Sequence, residues 1–346
     1  MKQLIDKLAA SRDLTDDELF SLITCEDEAV QQYLAEKAAA VRETVYGRDV
    51  YIRGLIEFTN YCKNDCLYCG IRRSNKNVQR YRLTKEDILE SCRHGYELGF
   101  RTFVLQGGED PYFTQERMVD IVSAIKKNHP DCAVTLSVGE KSREEYEAYF
   151  AAGADRYLLR HETATAEHYA KLHPAELTLA QRMHCIADLK EIGFQTGIGF
   201  MVGSPEQTPR HLLADLRYIQ AVQPQMVGIG PFIPHKDTPF REHPAGTARQ
   251  TLRLLAIIRL MLPSVLLPAT TALGTVSGDG RQRGMQFGAN VVMPNLSPLS
   301  VRAKYMLYDN KISTGEEAAE SVLLLQQSMQ SIGYRVVTDR GDWKDE

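Results

Sequence analysis

The chain has no apolar run long enough to cross a bilayer. Its most apolar stretch, residues 252–273, is interrupted by Arg253, Arg259, Pro263 and Pro268, whereas a spanning helix needs about 20 consecutive apolar residues. The opening segment MKQLIDKLAASRDLTDDELF lacks the continuous apolar core of a secretory signal, so a cytoplasmic location is expected. An excess of one charge is also missing. Lys and Arg number 41 against 45 Asp and Glu, a net charge of −4, which gives nucleic acid no basic face to bind. Low-complexity tracts and convincing internal linkers are absent. What remains is an ordinary globular composition, 43% hydrophobic and 25% charged. The length allows a sizeable core, as two domains or as one α/β barrel with extensions.

The first forty residues read as helix, with a capping box at Thr15-Asp16-Asp17-Glu18. A repeating pattern follows: a short β-rich run, a polar cluster, an amphipathic helix, and often a glycine. The runs are 51–58, 101–106, 133–137, 156–159, 196–202, 226–229, 265–268 and 290–293. Helices are expected over 84–98, 115–127, 143–152, 179–192, 209–222 and 249–262. Gly99, Gly153 and Gly193 stand where helices end in a left-handed residue, and Gly288 precedes the last run in the same way. Strands alternating with helices make parallel βαβ units. Eight of them predict an α/β fold of the (β/α)8 TIM-barrel type, complete or nearly so. A doubly wound sheet is disfavoured because no G-x-G-x-x-G follows the first strand. The expected division is an N-terminal helical extension over 1–48, a barrel over 49–310 and a C-terminal helical tail over 311–346. The polar clusters CKNDCLYC, QGGEDP, SVGE, RHET, GSPEQT, GPFIPH, PATT and MPN all follow strands. In such a barrel they would converge on the C-terminal mouth, where active sites lie.

Three of the seven cysteines, Cys62, Cys66 and Cys69, fall within eight residues as C-x3-C-x2-C. Such crowding in a cytosolic chain points to a metal or catalytic role. Cys25, Cys92, Cys132 and Cys185 stand singly and read as small buried hydrophobes. Structural zinc wants four protein ligands, usually as two separated pairs, and no partner Cys or His is near; the next are Cys92 and His94 in a helix. A [4Fe–4S] cluster normally takes four thiolates. Three would leave one iron open for a substrate or cofactor. Zinc, or an iron–sulfur carrier without catalysis, remains the plainer alternative.

With Tyr68 before the last cysteine and the triplet after the first barrel strand, the sequence resembles the radical S-adenosylmethionine (SAM) superfamily. The resemblance implies a [4Fe–4S] cluster on Cys62, Cys66 and Cys69. It also implies SAM chelating the open iron and being cleaved reductively to a 5′-deoxyadenosyl radical. It assigns SAM binding to Tyr68, to the Gly107-Gly108-Glu109 turn after the second strand, and to Ser137. Arg160 and Glu162 after the fourth strand, Arg182 in the next helix, and Met201 within GIGFMVG complete the set. Gly-Gly-Glu alone is more often a plain turn, and His161 reads equally well as a structural histidine.

The segments YIRGLIEFTNYCKNDCLYCGIRRSN, YLLRHETA, MVGIGPFIPHKDTP, LPATTALGT and GANVVMPNLSP resemble, more narrowly, the HydE group of [FeFe]-hydrogenase maturases, over residues 53–308. Methylornithine synthases and biotin synthases are its neighbours. The resemblance implies a small cysteine-bound iron carbonyl cyanide substrate made by the maturase HydG. It further implies a product passed toward the scaffold HydF, and a reductant such as ferredoxin or flavodoxin. Arg53, Gln106, Thr270, Thr271, Met293 and Tyr305 match the substrate cavity. Arg53 qualifies only if it points inward, where a guanidinium would hold an anion. Tyr305 and Tyr308 could share a helix face, with packing as their main task. Some members carry three further cysteines for a second cluster; here the segment reads DNKISTGEEAAESVLLLQQ, with no Cys after Cys185, so no second cluster is expected.

Overall fold

The computed structural model describes residues 1–312 and 318–345; part of the C-terminal segment discussed above, residues 313–317, lies outside them. Three helices, Lys2–Ser11, Asp16–Thr24 and Glu28–Tyr46, precede the first strand. Thr15 and Glu18 form the expected reciprocal cap, and Asp27 caps the third helix through Ala29 and Val30. The third helix packs against Ala248–Met261. The charges that interrupt the apolar run are buried staples here. Arg253 donates to Ile23 O (2.8 Å) and Gln31 Oε1 (3.1 Å), and Arg259 to Gly288 O (2.8 Å) and Pro263 O (2.6 Å). Each binds backbone that would otherwise be left without a partner.

The strands are β1 (Asp49–Ile52), β2 (Gly54–Thr59), β3 (Thr102–Gly107), β4 (Ala133–Ser137), β5 (Arg156–Leu158), β6 (Gln195–Ile198), β7 (Met201–Val202), β8 (Met226–Val227), β9 (Gly230–Pro231), β10 (Val291–Val292) and β11 (Arg335–Val337). A parallel sheet runs β2-β3-β4-β5-β6-β8. Single bridges Met226↔Leu266 and Pro268↔Val291 carry it on to β10, which pairs with β1, and Leu55↔Asn295 completes the circuit. The barrel therefore closes. Its seventh run, 265–268, survives only as bridges. The expected strand over 51–58 divides at Arg53, because β1 pairs with β10 and β11 while β2 turns to β3. The 196–202 run divides at Gly199, where a Cβ would lie 1.9 Å from Gly228 O.

The outer helices Lys85–Glu97, Gln115–Asn128, Arg143–Ala151, Leu179–Ile192, Pro209–Val222 and Ala248–Met261 fall where the periodicity puts them. Gly99, Gly153, Gly193 and Gly288 all have positive φ. Short helices Ala166–Leu172, Thr271–Val276, Gly280–Gln286 and Leu299–Arg302 were not anticipated. The tail departs from a purely helical reading. After helix Ala318–Ser331 it adds β11 to β1, then seals the barrel floor. There Arg156 donates to Arg340 O (2.9 Å) and Asp342 Oδ1 (2.5 Å), and Thr102 Oγ1 to Arg340 O (2.7 Å). Of the four lone cysteines, Cys92, Cys132 and Cys185 are buried, but Cys25 is only half-buried. Among the described residues, no helix is long and apolar enough to cross a membrane.

Candidate active site

A cavity of about 300 Å³ opens at the C-terminal ends of the strands. Six of the eight polar clusters reach it. GSPEQT turns away into helix Pro209–Val222, and MPN packs lower, with Asn295 donating to Glu57 Oε2 (2.8 Å).

Cys62, Cys66 and Cys69 form one wall. Their loop is braced before any ligand arrives. Arg80 threads beneath it, donating to the carbonyls of Asn60, Ile71 (2.8 Å), Arg72 (2.7 Å) and Asn75 (3.2 Å). Asp65 accepts from Arg72 Nε (2.8 Å), Ser74 N (3.0 Å) and Ser74 Oγ (2.8 Å), and the Arg72 bond above all holds its carboxyl well below the usual range. Burial pushes all three thiols up, Cys69 to about 12, and neighbouring thiolate charge pushes Cys66 and Cys69 further. Three half-buried sulfurs on one wall ionise together only against added positive charge, which is what iron supplies. Among the described residues, no three His, Cys, Asp or Glu side chains are spaced to hold a single ion. The three thiols line one cavity wall, and thiolates are the ligands of iron–sulfur clusters.

Tyr68 lies inside the cavity wall with its ring edge on His173, 5.4 Å between centroids. His173 Nδ1 sits 3.0 Å from Tyr169 O, so that nitrogen carries the proton. Its Nε2 then accepts from Tyr68 OH at 3.2 Å. Burial lowers the His173 pKa to about 3, so the ring stays neutral.

The Gly107–Glu109 turn presses on the cysteine loop. A Cβ on Gly108 would meet Tyr61 O at 2.2 Å and the Cys62 Cβ at 2.8 Å, so only glycine fits. Glu109 lies over Gly139 and accepts from Glu140 N (3.1 Å). Arg182 donates to Glu140 Oε1 (2.5 Å) and Arg160 O (2.7 Å). Arg160 Nη2 and Glu162 Oε2 are 3.1 Å apart but poorly aligned; those atoms and Arg160 Nε are buried without a hydrogen-bond partner. A guanidinium and a carboxylate with unspent bonding capacity, beside the thiols, fit a ligand carrying both an acid and an amine. Ser137 and Met201 also line the cavity.

The expected substrate residues divide. Gln106, Thr270 and Tyr305 line the cavity, with Tyr308, and Gln106 Nε2 donates to Tyr305 OH (3.4 Å). Thr271, Met293 and Arg53 do not. Thr271 is the first residue of helix Thr271–Val276, between the lining residues Thr270 and Ala272. Met293 packs on a lower cluster with Tyr46, Tyr51, Met226, Leu266 and Val291. Arg53 does point inward, but at the barrel floor: Nη1 meets Met226 Sδ (2.7 Å) and Nη2 Gly341 O (3.5 Å). The strand break puts it below the mouth.

Residues 304–311 strap the cavity. Gly70 N donates to Leu307 O (2.8 Å), Asn60 Nδ2 to Lys304 O (2.7 Å), and Lys236 N to Asp309 Oδ2 (2.7 Å). Lys311 closes a buried ion pair with Glu57 and donates to Tyr305 O (3.1 Å). Sequence reasoning missed Arg80, Glu140, His173 and this pair. Two of these had a local signal: Glu140 ends the SVGE cluster after the third expected strand, and His173 stands four residues from Tyr169.

A family model described as the Radical SAM superfamily matches residues 56–219. The [FeFe] hydrogenase maturase subunit HydE of Thermotoga maritima is 42% identical over 343 residues, 99% of this chain and 97% of that protein. The 3-methylornithine synthase of Methanosarcina acetivorans is 29% identical, over 94% of this chain and 91% of its own length. Among solved structures, methylornithine synthase (PylB) superposes with TM-score 0.84 at 27% identity, covering 96% of this chain and 97% of the other. The maturase HydG does so with TM-score 0.81 at 19% identity, covering 96% and 75%, a likeness of fold.

Proposed function

The chain belongs to the radical SAM superfamily, in its HydE type, and from that premise we propose that it acts on a small organometallic precursor of the [FeFe]-hydrogenase active site. It is a radical SAM enzyme with a role in hydrogenase maturation. Cys62, Cys66 and Cys69 would hold the cluster; Tyr68, the Gly107–Glu109 turn, Ser137, Arg160, Glu162, Arg182 and Met201 would hold SAM. Bound there, cluster and SAM together supply one-electron reductive cleavage to methionine and a 5′-deoxyadenosyl radical. The chain's own part is positioning. Arg80 and Asp65 fix the cysteine loop, His173 fixes Tyr68, and the strap over 304–311 excludes water.

The observation that carries this reading is how charge is divided in the cavity. Thiols aside, Glu109, Arg160, Glu162 and Arg182 are the charged residues lining it among those described, and all four are ones proposed above to hold SAM. The far side offers Gln106, Thr270, Tyr305 and Tyr308, neutral donors among apolar groups. Such a surface suits a substrate whose outer atoms are carbonyl and cyanide acceptors, as in a cysteine-bound iron carbonyl cyanide complex from HydG, with the product passing toward HydF. A ferredoxin or flavodoxin would supply the electron. A methylornithine synthase-like mutase would need a carboxylate there for a substrate ammonium, and the described residues lining that side include none. One cluster suffices for this scheme.

The test is anaerobic reconstitution with iron and sulfide, then SAM and dithionite, with 5′-deoxyadenosine measured by chromatography. Brown protein that releases it is expected, and Cys66→Ala should abolish both colour and product. Full cleavage by that variant, or a colourless zinc protein, refutes the reading.

A further inference from the structure

Among the described residues Glu162 is one of five non-glycine residues with positive φ, at 65°, and it alone of the five lines the cavity. A side chain in that region is strained and persists only where its surroundings leave no alternative. The surroundings are visible. Glu162 N donates to Gly199 O (3.0 Å), which fixes one side of the turn. The other side is held from outside the barrel, by Asp215 in helix Pro209–Val222. Asp215 Oδ1 accepts from Ala164 N at 2.6 Å and lies 3.3 Å from His161 Nε2. The carboxylate therefore bonds the residue that follows Thr163 and lies against the side chain of the one that precedes Glu162. Thr163 N closes on His161 O (2.9 Å), and Thr163 Oγ1 is bonded to His168 Nδ1 (3.1 Å). His161 is wedged between Phe200 and Tyr218, with ring centroids 5.8 and 4.9 Å away.

His161 and Asp215 are both 0% exposed. Asp215 Oδ2 and both ring nitrogens of His161 lack a well-formed hydrogen bond. A buried carboxylate so thinly compensated is a poor way to stabilise a barrel, since an apolar pair of similar volume serves as well or better. What it does provide is a fixed point for the backbone on either side of a strained glutamate. We infer that Asp215, through His161 and Ala164, is a positioning residue that holds Glu162 in the conformation that meets SAM. The inference rests on the reading of Glu162 as a SAM contact.

The test is equilibrium binding of labelled SAM to the reconstituted, unreduced enzyme, where no turnover occurs, beside iron content and thermal midpoint. Asp215→Ala should weaken SAM binding about tenfold, the order expected when strain of this kind is released, with iron content unchanged. Asp215→Asn keeps an acceptor for Ala164 N and should restore most of the affinity. Asp215→Leu removes the buried charge and fills the space, so it should fold even if the alanine variant does not, and should bind as weakly. In an Glu162→Ala background, Asp215→Leu should cost nothing further, because the residue it positions is gone. Unchanged affinity in the leucine variant, or losses that add in the double variant, overturns the inference. If Glu162→Ala itself binds SAM normally, the assignment of Glu162 fails instead.

Discussion

Arg80→Met removes the hub of the cysteine loop while keeping much of its bulk. Arg80 is one guanidinium shared among four carbonyls, those of Asn60, Ile71, Arg72 and Asn75. Hydrogen bonds to a charged donor are worth roughly 1.5–3 kcal/mol each. The freed carbonyls regain some water at this half-buried site, so about 1 kcal/mol apiece is the safer figure, or about 4 kcal/mol for the loop. That is about a thousandfold in the equilibrium between closed and open loop. The effect should stay local, because the barrel ladder under the loop is untouched. Thiol labelling of the cluster-free protein measures the opening directly. Cys62, Cys66 and Cys69, half-buried like Cys25, should react faster in the variant, about tenfold or more, while the Cys25 rate stays constant. Arg80→Lys keeps a charge but loses the planar fork, and should fall between. Reconstituted Arg80→Met should hold clearly less iron than the parent. If labelling rates and iron content match the parent, the loop is held by its ligand and not by Arg80.

Gly108→Ala should cost about 1–3 kcal/mol in cluster retention, the usual cost of forcing atoms into a filled space, because the new methyl meets backbone 2.2 Å away. Gly228→Ala, with nothing within 4 Å, is the control, and equal iron loss in both would refute the steric account. His173 gives a pH signature. Its folded pKa, lowered to about 3 from 6.5 mainly by burial, means the unfolded chain takes the proton first. Its stabilising effect is complete above about pH 6.5 and lost as pH falls toward 3, reaching about 2 kcal/mol at pH 5. Urea unfolding of the cluster-free protein at pH 7 and 5 should show that loss shrinking in His173→Phe, which can still stack on Tyr169; parallel pH dependence in the two proteins would refute it.

What the sequence shows clearly is what local rules govern. Helix ends were legible because Gly99, Gly153 and Gly193 must be left-handed, and Thr15 could cap only one way. That Tyr68, Glu109, Ser137 and Glu162 share one cavity was legible because they follow strands directly, so strand order alone brings them to one mouth. Depth along a strand was not legible. Arg53 and Gln106 both read as barrel-facing, but a break in one strand drops Arg53 to the floor while Gln106 stays at the mouth. Nor was anything set by long-range pairing. Arg80 to Asn60, Lys311 to Glu57 and β11 to β1 join segments with no shared period. The run RVV of β11 is too short to announce a strand by itself.

The exceptions to ordinary folding rules gather at one end of the barrel, which is an argument about function that needs no relative. Glu162 is left-handed without being glycine, Gly108 tolerates no side chain, three thiols share one wall, and Arg160 and Glu162 keep buried atoms unbonded. All but the glycine lower stability and are avoidable by a simple substitution. At the floor Arg156 is satisfied by Asp342, Gln195, Thr102 and the Arg340 carbonyl, while the neighbouring Arg53 keeps its Nε without a partner. What sets the mouth apart is that its unbonded atoms lie together in one open cavity beside the thiols, capacity kept for something that binds. The incomplete set contains an acid, a base and three sulfurs within one cavity, so what binds must bring positive charge to the sulfurs and a charge of each sign beside them.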